Sequence, residues 1–97
     1  MIKIQNYING EFQSPINGDY IDNYNPSKGE VYGQIPNSTK EDVELAYQAA
    51  KEAFSSWSNT TLDERSSILS KIATLIKEKL PELAAAEAKD NGKPLSL

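Results

Sequence analysis

Hydrophobic and polar residues change their spacing near Pro36, which divides the chain into two parts. Before Pro36, short runs alternate apolar or aromatic with polar residues and are separated by Gly, Asn and Pro, as β-strands joined by turns are. After it, apolar residues recur at steps of three and four, as on one face of an α-helix. The pattern predicts an α+β chain, with two β-hairpins over residues 1–36 followed by three helices over residues 37–97.

The two hairpins are predicted from their turns. Asn9-Gly10 lies between two β-prone runs and predicts a type I′ turn, because both central residues of that turn need positive φ. Residues 20–24 and 31–35 alternate in the same way and predict the strands of a second hairpin. The segment 25–29, which contains Pro and Gly, predicts the turn between them.

The helical part contains two S/T-x-x-E patterns, in which a hydroxyl and a carboxylate satisfy the first amides of a helix. Ser38 with Glu41 predicts the start of the first helix, and Thr61 with Glu64 predicts the start of the second. A third helix is predicted over residues 81–89, because Pro81 is tolerated only in a first turn.

Each of the first two helices has one apolar face. The faces consist of Val43, Ala46, Tyr47, Ala50, Phe54 and Trp57 in the first helix, and Ile68, Leu69, Ile72, Leu75, Ile76 and Leu80 in the second. Such stripes face a core in globular proteins. The pattern therefore predicts that the aromatic side chains belong to a core and not to a ligand site.

Composition excludes several classes of function. The net charge is −4, and ten Lys and Arg are scattered among fourteen acids, which argues against a nucleic-acid partner. No apolar run approaches the roughly 18 residues of a membrane span, so no membrane partner is expected. The N-terminus lacks the apolar stretch of a signal peptide, and we expect a cytoplasmic protein.

The chain has little of the chemistry that catalysis needs. It contains no Cys and no His, and neither GxGxxG nor GxxxxGK[ST] occurs. Ser66 and Ser67 stand side by side, but the chain supplies no base to activate a nucleophile. We therefore predict no catalytic residue and no cofactor-binding residue within the chain.

Six strings nevertheless resemble, in order and in spacing, the N-terminal region of the aldehyde dehydrogenase superfamily. They are Tyr7 to Phe12, Tyr24 to Val31, Glu41 to Phe54, Trp57, Asp63 to Arg65, and Asp90 to Pro94. The resemblance covers residues 5–97, and the stretches at residues 35–38 and 57–58 are most similar to members that oxidise muconic semialdehydes.

The resemblance implies an α/β parent with a Rossmann-like cofactor domain, of which residues 1–97 are an N-terminal fragment. Family members oxidise a small-molecule aldehyde to a carboxylic acid with NAD or NADP, using a nucleophilic cysteine and a glutamate that activates water. The positions of both catalytic groups lie beyond the one that matches Leu97. The resemblance thus implies an inactive fragment of an enzyme that is a homo-oligomer.

The resemblance also implies one site within the chain. Many members hold a monovalent cation with backbone carbonyls just before the Asn-Pro-Ser turn and with the Asp of an Asp-Asn-Gly-Lys-Pro string. The matching residues are Asn23, Tyr24 and Asp90. Oxygen ligands suit a hard cation. A further ligand comes from outside this segment, so the expected metal site is incomplete here.

Two other functions remain open from the residues. The chain could be a binding or assembly module that pairs with a full-length subunit through an exposed face or a hairpin edge. It could also be a small independent enzyme, but the absence of Cys, His and a phosphate loop argues against that interpretation.

Overall fold

The computed structural model of the chain describes residues 1–96, in which strands precede helices. The strands are β1 (Ile2–Lys3), β2 (Asn6–Ile8), β3 (Glu11–Gln13), β4 (Tyr20–Asn25) and β5 (Glu30–Pro36). The helices are α1 (Lys40–Trp57), α2 (Leu62–Glu78) and α3 (Leu80–Asn91). Within residues 1–96, none of the helices is both long enough and apolar enough to cross a membrane.

Both predicted hairpins are confirmed, and the second is larger than predicted. Strands β4 and β5 pair antiparallel, and β1 joins the other edge of β5 in parallel, which gives the order β1-β5-β4. Strand β1 was missed because two residues are too short to show an alternating pattern. It lies close over Gly33, where an added Cβ would come within 2.7 Å of the Ile2 carbonyl oxygen.

The first hairpin forms a sheet of its own. Asn9 has φ 53° and Gly10 has φ 77°, so both central residues have the positive φ that a type I′ turn requires. Tyr7 and Phe12 are directly opposite each other, and their rings meet edge to face with centroids 5.0 Å apart. The ribbon is further held by the Asn6 side-chain amide, which donates to the Ser38 hydroxyl oxygen before α1 at 2.8 Å.

The start of α1 differs by one residue from the prediction, so the predicted box of Ser38 with Glu41 is wrong. The box pairs Thr39 with Asp42, whose Oδ2 accepts from the Thr39 amide at 2.9 Å. Both registers carry the required residue types. Asp42 prevails because it is only 4% exposed and its Oδ1 also accepts from the Ile16 amide at 2.9 Å.

The start of α2 agrees with the prediction, and both ends of α3 lie within two residues of it. In α2, the Glu64 amide donates to the Thr61 hydroxyl and the Thr61 amide donates to the Glu64 carboxylate, each at 3.1 Å. Helix α3 begins one residue before Pro81 and ends two residues beyond the predicted range. Gly92 ends it in the left-handed conformation.

The predicted hydrophobic core is absent within residues 1–96, where no hydrophobic side chain is buried. Tyr47 is 55% exposed, Phe54 68% and Trp57 45%, so the expectation that they form a core is wrong for this chain. The apolar stripe of α2, defined as Ile68, Leu69, Ile72, Leu75 and Ile76, is exposed as well. A periodic pattern identifies the apolar face of a helix, but it does not provide the surface that covers that face.

Candidate functional site

A polar cluster of Asn23, Tyr32 and Asp90 forms where the end of α3 meets β4 and β5. The Asn23 side-chain amide donates to Asp90 Oδ1 at 2.9 Å and to the Tyr32 hydroxyl oxygen at 2.9 Å. The Tyr32 hydroxyl in turn donates to the same Asp90 oxygen at 2.9 Å. Three residues from three elements therefore form a closed triangle of hydrogen bonds.

An irregularity in the sheet brings Tyr32 into this cluster. Asn23 pairs with Gly33 and Tyr24 pairs with Val31, so Tyr32 is an extra residue in β5. A bulge of this kind bends a strand and changes the direction of a side chain. Tyr32 was not predicted as a site residue, since strict alternation gives no sign of the bulge.

The cluster favours a charged carboxylate beside a neutral phenol. Hydrogen bonds from Asn23 and then from Tyr32 lower the pKa of Asp90, and loss of solvent contact opposes them. Partial burial, followed by the hydrogen bond to Asp90 and that group's negative charge, raises the pKa of Tyr32. The bond from Asn23 shifts the pKa of Tyr32 in the opposite direction.

The end of α3 is held at this place by further contacts. The Lys89 ammonium lies over the Tyr32 ring, 4.9 Å from its centroid. Beyond the helix, Gly92 packs so close to the turn after β4 that an added Cβ would be 3.2 Å from Pro26 Cγ. The cluster therefore lies at a fixed junction between sheet and helix.

Two of the three predicted cation ligands share this junction through their side chains, and the third is adjacent in sequence. Asn23 and Asp90 are bonded directly, whereas Tyr24 follows Asn23 with its side chain 55% exposed. The Asn23 side chain faces Asp90 through its Nδ2 donor, so its Oδ1 is not the atom next to the carboxylate. Within residues 1–96, both side-chain hydrogen bonds to Asp90 go to Oδ1. A carboxylate oxygen is the kind of ligand that a hard cation prefers.

The rest of the described chain offers little other chemistry. In residues 1–96, no three or more His, Cys, Asp or Glu side chains come together as they would around a metal ion. An open cavity of about 560 Å³ lies at the start of α1, and Lys40, Glu41 and Glu44 are its charged lining residues. Arg65 donates to the Thr60 carbonyl at 3.0 Å, so its side chain stabilises the turn before α2.

Comparison with known proteins gives matches along nearly the whole chain. The profile of the aldehyde dehydrogenase family matches residues 12–97. The 2-aminomuconic semialdehyde dehydrogenase of Mus musculus is 48% identical over 97 residues, which are 100% of this chain and 20% of the mouse protein. This agrees with the resemblance to enzymes of muconic semialdehydes.

Solved structures show the same fold. The NAD+ complex of an aldehyde dehydrogenase from Bacillus cereus superposes with a TM-score of 0.92 at 42% identity, over 97% of this chain and 20% of that chain. An NADP-dependent enzyme of E. coli gives a TM-score of 0.94 at 34% identity, over 98% of this chain and 20% of that chain. The chain thus spans about a fifth of the length of these relatives. It belongs to the aldehyde dehydrogenase family and has the fold of the N-terminal part of its members.

Proposed function

We propose that the chain is the N-terminal segment of the cofactor-binding domain of an enzyme that oxidises an aldehyde to a carboxylic acid with NAD+ or NADP+. The observation that supports this most strongly is the 48% identity to a semialdehyde dehydrogenase along the whole chain. The family match over residues 12–97 supports it independently of the choice of relative.

The contribution of this segment to the reaction is structural. It has no Cys and no His. Its hydrogen-bonded cluster at Asn23, Tyr32 and Asp90 fixes the end of α3 against the sheet. The segment alone is therefore inactive, and the cysteine and glutamate of the reaction are supplied from outside it.

The substrate class follows from the relatives. The mouse protein is named for a muconic semialdehyde, so a semialdehyde is the substrate that we propose. The relatives include both an NAD+ complex and an NADP-dependent enzyme with the same fold over this segment, so the segment is compatible with either cofactor. A cytoplasmic homo-oligomer with a monovalent cation near Asn23, Tyr24 and Asp90 is part of the same proposal.

The experiment that tests this function has two parts. The codons after Leu97 in the gene are read for a continuation that encodes a cysteine and a glutamate in the family's context. The native protein, captured with an antibody against this segment, is then assayed for reduction of NAD+ or NADP+ with a semialdehyde. Reduction that depends on the aldehyde supports the proposal, and a native protein with no such activity contradicts it.

A second candidate is an assembly module that pairs with a full-length subunit, and the exposed surface favours it. The chain exposes 7771 Å². A compact monomer of its 10.7 kDa mass would expose about 5,500 Å². The excess is comparable with one side of a large, permanent interface. A partner subunit would cover the apolar stripe of α2 in this function.

Matched variants of α2 test the pairing. Ile72 lies in the apolar stripe, and Thr74 lies two residues further, about 200° around the helix. Co-purification of the chain with a full-length aldehyde dehydrogenase is expected to be lost in Ile72→Asp and retained in Thr74→Asp. Equal recovery of both variants, or no recovery of the unchanged chain, would exclude the stripe as the pairing surface.

A further inference from the structure

Three Asn-Gly pairs occur in the chain, and the structure places them in different environments. They are Asn9-Gly10, Asn17-Gly18 and Asn91-Gly92. In an Asn-Gly pair the backbone nitrogen of glycine most readily attacks the asparagine side-chain carbonyl carbon, because glycine has no side chain to hinder the approach. The reaction needs a free backbone nitrogen and a side-chain carbonyl that can rotate toward it.

Two of the pairs are held in hydrogen bonds that oppose the reaction. The Gly18 amide donates to the Pro15 carbonyl at 2.8 Å, and Asn17 Oδ1 accepts from the Asp19 amide at 3.0 Å. Both reacting groups at this pair are therefore engaged.

The pair at the end of α3 is engaged more fully. The Gly92 amide donates to the Ala88 carbonyl at 2.9 Å. Asn91 Nδ2 donates to Glu87 Oε1 at 2.8 Å, and Asn91 Oδ1 accepts from the Lys93 amide at 2.8 Å. Both polar atoms of the Asn91 side chain have partners, as does the nitrogen that would attack it.

The pair in the first hairpin is different. Among the hydrogen bonds of residues 1–96, none engages the Asn9 side chain or the Gly10 amide. Both residues are exposed, and the hairpin that holds the turn consists of two strands of three residues each. No hydrogen bond of the described chain has to break for the Asn9 side chain to rotate toward the Gly10 nitrogen, in contrast to the other two pairs.

We propose that Asn9 is a self-modification site, at which the chain converts asparagine to aspartate and isoaspartate without an enzyme. The Gly10 nitrogen loses its proton to base and attacks Asn9 Cγ, forming a C–N bond. The Cγ–Nδ2 bond then breaks and ammonia leaves, which closes a five-membered succinimide. Water opens the ring at either carbonyl, so the net change is the uptake of one water and the release of one ammonia.

The product changes the surface of the hairpin. Each conversion adds one negative charge, and the isoaspartate form also adds a methylene to the backbone inside a two-residue turn. Loop length and turn type set hairpin register, so the pairing of Ile8 with Glu11 is lost in that form. Asn9 and Gly10 also line an open groove of about 400 Å³ with Ala46 and Ala50 of α1, so the new charge lies beside this groove.

Peptide mapping by mass spectrometry tests the proposal on the full chain, aged in mildly alkaline buffer and sampled over time. In native buffer, we expect Asn9 to convert several-fold faster than Asn17 and Asn91, with isoaspartate among the products. In denaturant, the three rates are expected to converge, because the hydrogen bonds that distinguish the sites are gone. The Asn9→Gln variant is the matched control and should lose conversion at residue 9 alone.

Two results would overturn the proposal. One is equal conversion of the three asparagines in native buffer. The other is a rate at Asn9 that rises in denaturant by as much as the rates at Asn17 and Asn91 do, since the folded hairpin would then protect it equally.

Discussion

The starts of α1 and α2 use the same four-residue motif, Thr-x-x-acid, in two different settings. At α2, Thr61 and Glu64 satisfy each other's amides on an exposed surface. At α1, Asp42 also bonds Thr39, but it is buried and reaches the Ile16 amide 26 positions earlier in the chain. The Thr61–Glu64 motif caps only its own helix, whereas the Thr39–Asp42 motif also links the loop before β4 to α1.

The difference shows how a local cap becomes a tertiary contact. A carboxylate that accepts from two backbone amides and has little water around it leaves both donors unsatisfied when it is removed. When an exposed cap is removed, water forms hydrogen bonds with the freed amides and satisfies them in part. Within residues 1–96 no hydrophobic side chain is buried, whereas Asp42 is 4% exposed and its hydrogen bonds join the loop before β4 to α1.

The largest expected effect comes from Asp42→Ala compared with Glu64→Ala, since both remove the acid of a capping box. We expect Asp42→Ala to increase hydrogen exchange at the Ile16 amide as well as at the start of α1, and to lower the denaturation midpoint more. Glu64→Ala should change exchange only at the start of α2. Equal losses in the two variants would show that the long-range bond contributes nothing.

Acid provides a second way to remove the contact. The Thr39 amide and then the Ile16 amide lower the pKa of Asp42 below its usual 3.8, so the folded state binds the proton less readily than the unfolded state. The stabilisation is therefore complete above the ordinary carboxyl pKa and is lost as pH falls toward the lowered folded value. Asp90, whose pKa is also lowered, adds to the same acid loss.

Denaturation midpoints measured across this acid range test whether stability falls with pH as expected. The unchanged chain should lose stability as pH falls, and Asp42→Asn should show a shallower loss because it has no proton to take up at this position. An identical slope in both proteins would contradict the assignment of the lowered pKa to Asp42.

The smallest effect is expected from Thr61→Ala at the local cap. Loss of a threonine cap costs about 1 kcal/mol, which is about a fivefold change in an opening equilibrium. Exchange of the first α2 amides should rise by that factor, while the Ile16 amide stays unchanged. A change at Ile16 would show that the two helix starts are coupled.

Local features of the fold were predictable from the sequence. The turn at Asn9-Gly10, the cap at Thr61 and the position of Pro81 in the first turn of α3 each depend on a few adjacent residues, and each was confirmed. At the start of α1, two overlapping registers satisfied the same motif, and only the bond from Ile16 decides between them.

Features that join distant parts of the chain were not predictable in the same way. Strand β1 pairs with β5, and Tyr32 reaches Asp90 only because a bulge displaces it. Asn23 and Asp90 were placed at one site by family resemblance, and their side chains lie in direct contact. The core prediction for Tyr47 and Phe54 failed because amphipathicity does not specify what covers an apolar face.

The pairing of Ile2 with Gly33 has a practical consequence for making the protein. The sheet begins at the second residue, and the close approach over Gly33 leaves no room for an extra atom there. A purification tag fused directly to Met1 would begin at the edge of this sheet and interfere with the pairing of β1 with β5. A flexible glycine-serine spacer, or a tag cleaved off before measurement, keeps the first strand free to pair.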